Sequence, residues 1–227
     1  MKSPNVKAVV TTAILVAIAI IVDVITSSIP GLNASMPFGG KFFGISMIPL
    51  VLIGLIFGLK YGLLGGFIYA LYNFGADYIV YLDTLRITLE SWTGESWSLL
   101  KIISLFLLDY AFPFMAFGLS GLFKTPFEMT AFKMFQAFAF VSFVRLISSS
   151  LSGILLWSSS IAYATSEVEA GNIEPNIATQ IFELFGNNVV FYSISYNLIY
   201  IVTTLLISFS IGIVIYQRVI KSLTLYQ

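Results

Sequence analysis

The chain has 227 residues, of which 58% are hydrophobic and 10% charged, with eleven basic and eleven acidic side chains and a net charge of zero. Soluble domains are roughly 45–50% apolar and about 25% charged, so this composition excludes an ordinary soluble protein and offers no basic surface for nucleic acid. The absence of Cys and His excludes disulfides and thiolate metal sites and removes the commonest general base and metal ligand, so no metal is expected.

Apolar segments of about 20 residues cross a hydrocarbon core of about 30 Å as helices, and six are marked here, at 8–28, 42–58, 61–82, 99–123, 130–157 and 187–216. The opening MKSPNVKAVV carries Lys2 and Lys7 ahead of its apolar run. That run is long for a signal peptide and no small-residue cleavage site follows, so it reads as the first span. Within it Ala13 and Ala17 stand four apart on one face, where another helix approaches closely, from this chain or from a partner. Ile29 to Lys41, IPGLNASMPFGGK, is Pro/Gly-rich and reads as a loop. GLKYG joins the second span to the third, and Asn73 and Asp77 in YNFGADY form a polar i, i+4 pair, either in a site or capping the span.

Asp83 to Ser98 is a polar connection that contains Trp92 and Trp97. The fourth span then carries Asp109 inside LLDYAFPFMAFGLSGLF, and a carboxylate in hydrocarbon marks a functional site with a partner to be found. After KTPFEM, the fifth span holds Arg145 in FVRLISSSLSGILLW. Similar depth on consecutive antiparallel spans would let Arg145 and Asp109 neutralise each other, if only as a structural ion pair. Ser149, Ser152, Gly153 and Trp157 follow Arg145 at helical spacing, as one wall of a polar pocket. Ser158 to Glu183 is a polar, acidic connection, and the sixth span opens with FYSISYNLIY, where Tyr192, Ser195 or Tyr196, and Asn197 add hydrogen-bonding groups. Tyr196 and Tyr200 read as interfacial tyrosines. The long connections share one face, as a lid or as plain solvated links.

Lys2, Lys7, Lys60, Lys124, Lys133, Arg218 and Lys221 fall on one side of a six-span count, while most acids fall on the other. By the positive-inside rule both termini are cytoplasmic. The expected fold class is therefore an all-α integral membrane protein, six transmembrane helices in one compact bundle over 1–227. A pocket of one carboxylate, aromatic rings and hydroxyl or amide groups suits a small, flat, polar or cationic ring compound. No nucleotide-binding loop is present, so energy for uphill transport must come from elsewhere.

TTAILVAIAII, IPLVLIGLIFGLKYGLLGGFIYAL, LLDYAFPFMAFGLSGLF, RLISSSLSGILLW and YSISYN in this order resemble a substrate-binding S-component of the energy-coupling factor (ECF) vitamin transporters, most of all the thiamine-specific branch. The resemblance implies a bacterial plasma-membrane protein that takes up a vitamin from outside without chemical change. Its site would lie among the fourth to sixth spans, capped by the first loop. Ala13 and Ala17 would dock on a transmembrane T-component, and ATP would be used only by two partner ATPase subunits. Asp109 falls where thiamine binders have an acid, usually Glu, and Tyr110 where they have Tyr. Trp157 falls on the pocket tryptophan, Tyr192 and Asn197 on a Tyr and Asn five apart, and Arg145 on a basic position.

Departures accompany these matches: the family's pocket His is Ser149, and aromatic and acidic residues near the second span give way to Gly40 and Gly44. They admit related ligands, namely the pyrimidine precursor of thiamine, a phosphorylated form paired with Arg145, or a pyridine vitamin such as pyridoxine. Two other classes remain open, an intramembrane enzyme, which has only Ser, Asp and Arg to work with, and a structural membrane protein.

Overall fold

Helices cross the apolar segments because the membrane leaves backbone groups no partner but each other. The computed structural model describes residues 6–37, 39–76, 86–87, 90, 96–125, 129–172, 174–185 and 188–220. Its elements are α1 (Val6–Ser28), α2 (Met47–Phe57), α3 (Leu59–Phe74), α4 (Leu99–Phe123), α5 (Ala131–Leu155), α6 (Ser158–Glu169), α7 (Ile177–Phe185) and α8 (Val189–Ile215). Among the described residues there is no strand, only an isolated bridge between Ser35 and Lys41.

Among the described residues four helices, α1, α4, α5 and the α8 segment Val189–Arg218, are long and apolar enough to cross a membrane. The second and third predicted spans differ from expectation in their bounds. Residues 42–46 are not helical but part of the connection after α1, and Gly58, with φ +92°, breaks the chain sharply between α2 and α3. Lys60 to Gly62, read as a turn, already belong to α3. The 158–183 connection is not extended either. It folds into α6 and α7, and Asn176 caps α7 by accepting from the Ala178 and Thr179 amides at 2.9 and 3.3 Å.

Residues 47–55 of α2 are buried without interruption, as a helix surrounded by others must be. α1 covers one side through Ala8, Thr12, Val16, Ala19, Asp23 and Thr26, spaced three or four apart as one helix face requires. Its other face leaves Val9, Val10, Ile14, Ile18, Ile21 and Ile25 exposed. In lipid such a surface carries no penalty.

α2, α3 and the end of α4 cross backbone against backbone. A methyl on Gly118 would land on the Gly62 and Leu63 backbone, and one on Gly66 on that of Phe114 and Met115. Small residues at such crossings are what lets helices associate where lipid removes the hydrophobic drive. The Ser120 hydroxyl ties the crossing together, donating to the Val51 carbonyl at 2.8 Å. On the other side α5 and α8 pack closely at Gly153 against Ser193, whose hydroxyl donates to the Ser150 carbonyl at 2.9 Å.

Because the neighbours of Gly118 are backbone, they cannot rotate away. Gly118→Val is expected to cost about 3 kcal/mol, the upper end of what overpacking typically costs, and to leave no monodisperse protein on size exclusion in detergent. Normal elution with an unchanged melting temperature would show that the crossing is looser than described.

Candidate functional site

α4 is not a uniform helix. It runs α-helical to Leu105, widens to a π turn over Phe106–Ala111, resumes over Phe112–Met115 and tightens to 3-10 geometry from Ala116 to Phe123. Pro113 supplies the cause. It has no N–H to give the carbonyl four residues back, and its ring clashes with that carbonyl, which belongs to Asp109. The helix accommodates by widening one turn, a distortion that recurs at functional sites. Asp109 therefore sits in the widened turn.

That turn faces a cavity of about 760 Å³ lined by α1, α3, α4, α5, α6 and α8 and by the connection after α1 as its roof. The volume lies within the ~300–1,000 Å³ typical of small-molecule sites. Asp109 and Tyr110 of α4, Arg145 and Ser149 of α5, Trp157 in the turn between α5 and α6, and Tyr192 and Asn197 of α8 all line it; the fifth span thus ends at Leu155, two residues short of expectation. Ala13 and Ala17 lie apart from it, exposed on α1. Asp77 and Trp92 lie outside the described residues, while Asn73 lines the cavity and its amide donates to the Tyr69 carbonyl at 3.1 Å.

The partner of Asp109 is not Arg145. Its Oδ2 accepts from the Trp157 indole Nε1 at 2.9 Å, and Arg145 makes no ion pair with any described residue. The two Cα positions are at similar depth, since the Ser148 hydroxyl reaches the Leu108 carbonyl at 2.8 Å. Side chains on a helix, however, lean toward its N-terminus. On antiparallel α4 and α5 that throws the carboxylate toward the roof and the guanidinium toward the floor, where its Cζ lies 4.8 Å from the Phe117 ring centroid. The expected neutralising pair is thereby ruled out in this geometry.

Trp157 is braced from behind. Trp97, only 3% exposed, packs against it with ring centroids 5.7 Å apart. The Trp97 backbone N–H donates to Glu90 Oε1 at 2.8 Å, and Arg86 Nε donates to the same oxygen at 3.0 Å. The bond from Trp97, then that from Arg86, hold the Glu90 carboxyl below the usual range. A lowered carboxyl pKa stabilises fully above the ordinary glutamate value and loses that contribution as pH falls through the lowered one, so the brace is intact at neutral pH.

On α8 the Tyr192 and Tyr196 rings stack at 5.9 Å, and the buried Tyr192 hydroxyl has no partner among the described residues. Asn197 works within the wall. Its Nδ2 donates to the Ser193 carbonyl and its Oδ1 accepts from Tyr200, both at 2.8 Å.

Several lining residues escaped the sequence reading. Asp23 of α1 accepts from Lys41 Nζ at 2.8 Å, and Lys41 also donates to the Ser27 hydroxyl at 2.8 Å. The criterion that singles out Asp109, a lone acid in an apolar span, applies equally to Asp23. Tyr69, whose hydroxyl donates to Ser46 at 2.9 Å, carried no such signal, because tyrosine is common in membrane helices. Tyr196 and Tyr200, read as interfacial, hold the roof. Tyr196 donates to the Gly39 carbonyl at 3.1 Å, and Gly40, at φ +99°, lies so close over the Tyr200 ring that a Cβ would strike it.

The family model described as thiamine transporter protein covers residues 9–170, well over half the chain. The chain belongs to the thiamine transporter protein family. It is also 27% identical over 195 residues to the thiamine transporter ThiT of Bacillus subtilis (strain 168), spanning 86% of this chain and 82% of that one. Family membership and the long apolar helices make it a multi-pass membrane transport protein.

The brace is testable without any ligand. Trp97→Leu should open the back of Trp157 to solvent, giving red-shifted tryptophan emission and greater iodide quenching in the folded protein. If both stay at the level of the unaltered protein after allowance for the lost residue, Trp97 does not support Trp157.

Proposed function

We propose that this protein is the substrate-binding S-component of an ECF-type transporter, capturing thiamine or a close relative from outside and releasing it unchanged inside. The observation that carries the reading is the Asp109–Trp157 pair facing a roofed cavity in a chain of the thiamine transporter protein family. In this reading α1, α2, α3, α4, α5 and α8 are six spans and both termini are cytoplasmic. The distribution of Lys and Arg supports that orientation.

Thiamine joins an aminopyrimidine to a cationic thiazolium. Asp109 accepts from the amino group or neutralises the cation, and Trp157 covers the ring with its face. Tyr110, Tyr192, Asn197 and Ser149 orient the ligand, and Arg145 lies at the floor. The Tyr192 hydroxyl, buried without a partner among the described residues, is available to a ligand polar atom, since buried polar groups are ordinarily paired.

Energy comes from partners. Ala13 and Ala17 offer a small-residue face on which the helix of a T-component can seat, and two ATPase subunits beneath it consume ATP. The exposure of both alanines in the isolated chain supports a contact outside the bundle. A pyridoxine-type ring is the second reading for the ligand, supported by the loss of the family's pocket His at Ser149.

Two variants separate the halves of the proposal. Asp109→Ala should weaken binding of labelled thiamine by roughly 10–100-fold, the scale of a hydrogen bond to a charged group, while the protein stays folded in the membrane. Ala13→Trp should leave binding intact but abolish co-purification with the ATPase module and ATP-dependent uptake. Unaltered affinity in the first variant removes Asp109 from the site, and normal assembly in the second removes the α1 face.

A further inference from the structure

The connection between α5 and α8, polar and acidic in sequence, contains in α7 a helix with three unlike flanks. At about 100° per residue, Ala178, Thr179, Ile181 and Phe182 share one side, Ile177 and Leu184 the next, and Gln180 and Glu183 the third. The first side packs inside the protein. Ala178, Thr179 and Ile181 are buried, Ala178 and Ile181 join the cluster of Met36, Tyr192 and Tyr196 under the roof, and the Phe182 ring lies 6.1 Å from that of Tyr192. The third side is polar and exposed, as a water-facing flank requires. The second is exposed yet apolar, with Leu184 79% exposed and Ile177 38%.

What covers that flank follows from its neighbour. α8 turns Phe191, Ile194, Leu198, Val202 and Leu206 outward at steps of three and four residues, and in a multi-pass membrane protein such a stripe faces lipid. Phe185, the last residue of α7, stacks on Phe191 at the head of the stripe, with ring centroids 6.2 Å apart and planes at 25°. The apolar flank of α7 thereby adjoins the lipid surface of α8. Depth agrees with this. Phe191 and Arg218 stand near the two ends of the apolar segment Val189–Arg218. At 1.5 Å per residue they are about 40 Å apart, more than the ~30 Å of hydrocarbon and close to the ~40–45 Å of a bilayer with its headgroups. Phe191, and α7 with it, therefore falls at the boundary between headgroups and acyl chains.

We propose that α7 is an interfacial helix whose Ile177 and Leu184 flank is seated in the lipid at the roof end of the bundle, and that this seat holds the inner face of α7 on the roof cluster. The membrane surface is thus a binding partner of the connection between α5 and α8, and one side of the cavity's cover is fastened to lipid as well as to protein. The polar flank carries Glu183 and no basic residue, so the seat is apolar and needs no anionic lipid. The proposal stands apart from the identity of the ligand.

Because the chain has no Cys, an introduced thiol is its only one. The test labels full-length Leu184→Cys and Glu183→Cys proteins with an environment-sensitive fluorophore in phosphatidylcholine nanodiscs, and quenches them with iodide or with phosphatidylcholine carrying a nitroxide high on its acyl chain. Both side chains are exposed, so neither change disturbs packing. The Leu184 label should be quenched by the lipid nitroxide and shielded from iodide, and the Glu183 label, one residue away on the watery flank, should show the reverse. Equal iodide access at the two positions overturns the proposal. Protection of the Leu184 label from both quenchers would put a protein surface, such as a second copy of the chain, on this flank and also overturn it. The hold on the roof is read from the alkylation rate of Ala178→Cys, on the buried face of α7, in the same nanodiscs. Adding Leu184→Asp should speed that alkylation roughly tenfold or more, the scale of one Leu side chain lost from an apolar seat. An unchanged rate would show that lipid does not hold the helix and would overturn that half of the proposal.

Discussion

A carboxylate placed in hydrocarbon must find donors or give up its charge, and the architecture around Asp109 is arranged by that constraint. Pro113 forces the widened turn that turns Asp109 toward the cavity. The Trp157 indole meets the carboxylate from the turn after α5, and Trp97, itself held by Glu90, backs the indole. A distortion in one helix, a hydrogen bond from the turn after the next and the Trp97 ring packed behind it are therefore one assembly. The remaining capacity of the carboxylate faces the cavity.

The roof follows the same logic with polar tethers in place of a single charge. The connection after α1 is fastened to α8 by Thr204, whose hydroxyl donates to the Lys41 carbonyl at 2.8 Å, and by Tyr196 at Gly39, and to α1 by the Asp23–Lys41 ion pair. Met36, 1% exposed, plugs into the cluster of Tyr192, Tyr196 and Tyr200. Such tethers are individually modest, because a partly exposed ion pair contributes at most about 1 kcal/mol. A roof held by several weak contacts can be closed at rest and still release. The glycines at 40 and 44, which stand where aromatic and acidic residues were expected, fit this docking, because a Cβ at either would strike Tyr200 or Thr204.

Hydropathy made the helical class and the long helices α1, α4, α5 and α8 legible, because a membrane span declares itself by length and apolarity alone. The bounds of α2 and α3 were less so, since Gly58 and the docking of residues 42–46 on α8 are tertiary facts. The lining positions Asp109, Trp157, Tyr192 and Asn197 stood out as polar or aromatic residues at helical spacing. The pairing of Asp109 with Arg145 was misread because spacing gives depth and face but not the direction in which a side chain leans. Asp23, Tyr69 and Tyr200 were hidden for another reason. Their partners lie 18, 23 and 3 residues away in the chain, and only the folded roof reveals that the first two and the Tyr200 ring meet the connection after α1.

The most direct measurement is a tryptophan-fluorescence titration of the purified chain with thiamine, beside the Trp157→Phe variant. Saturable quenching in the unaltered protein that disappears with Trp157 is the result predicted by a ring bound between Asp109 and this indole. Quenching that persists undiminished in the variant, or no saturable response to thiamine or to its phosphate ester, would contradict it.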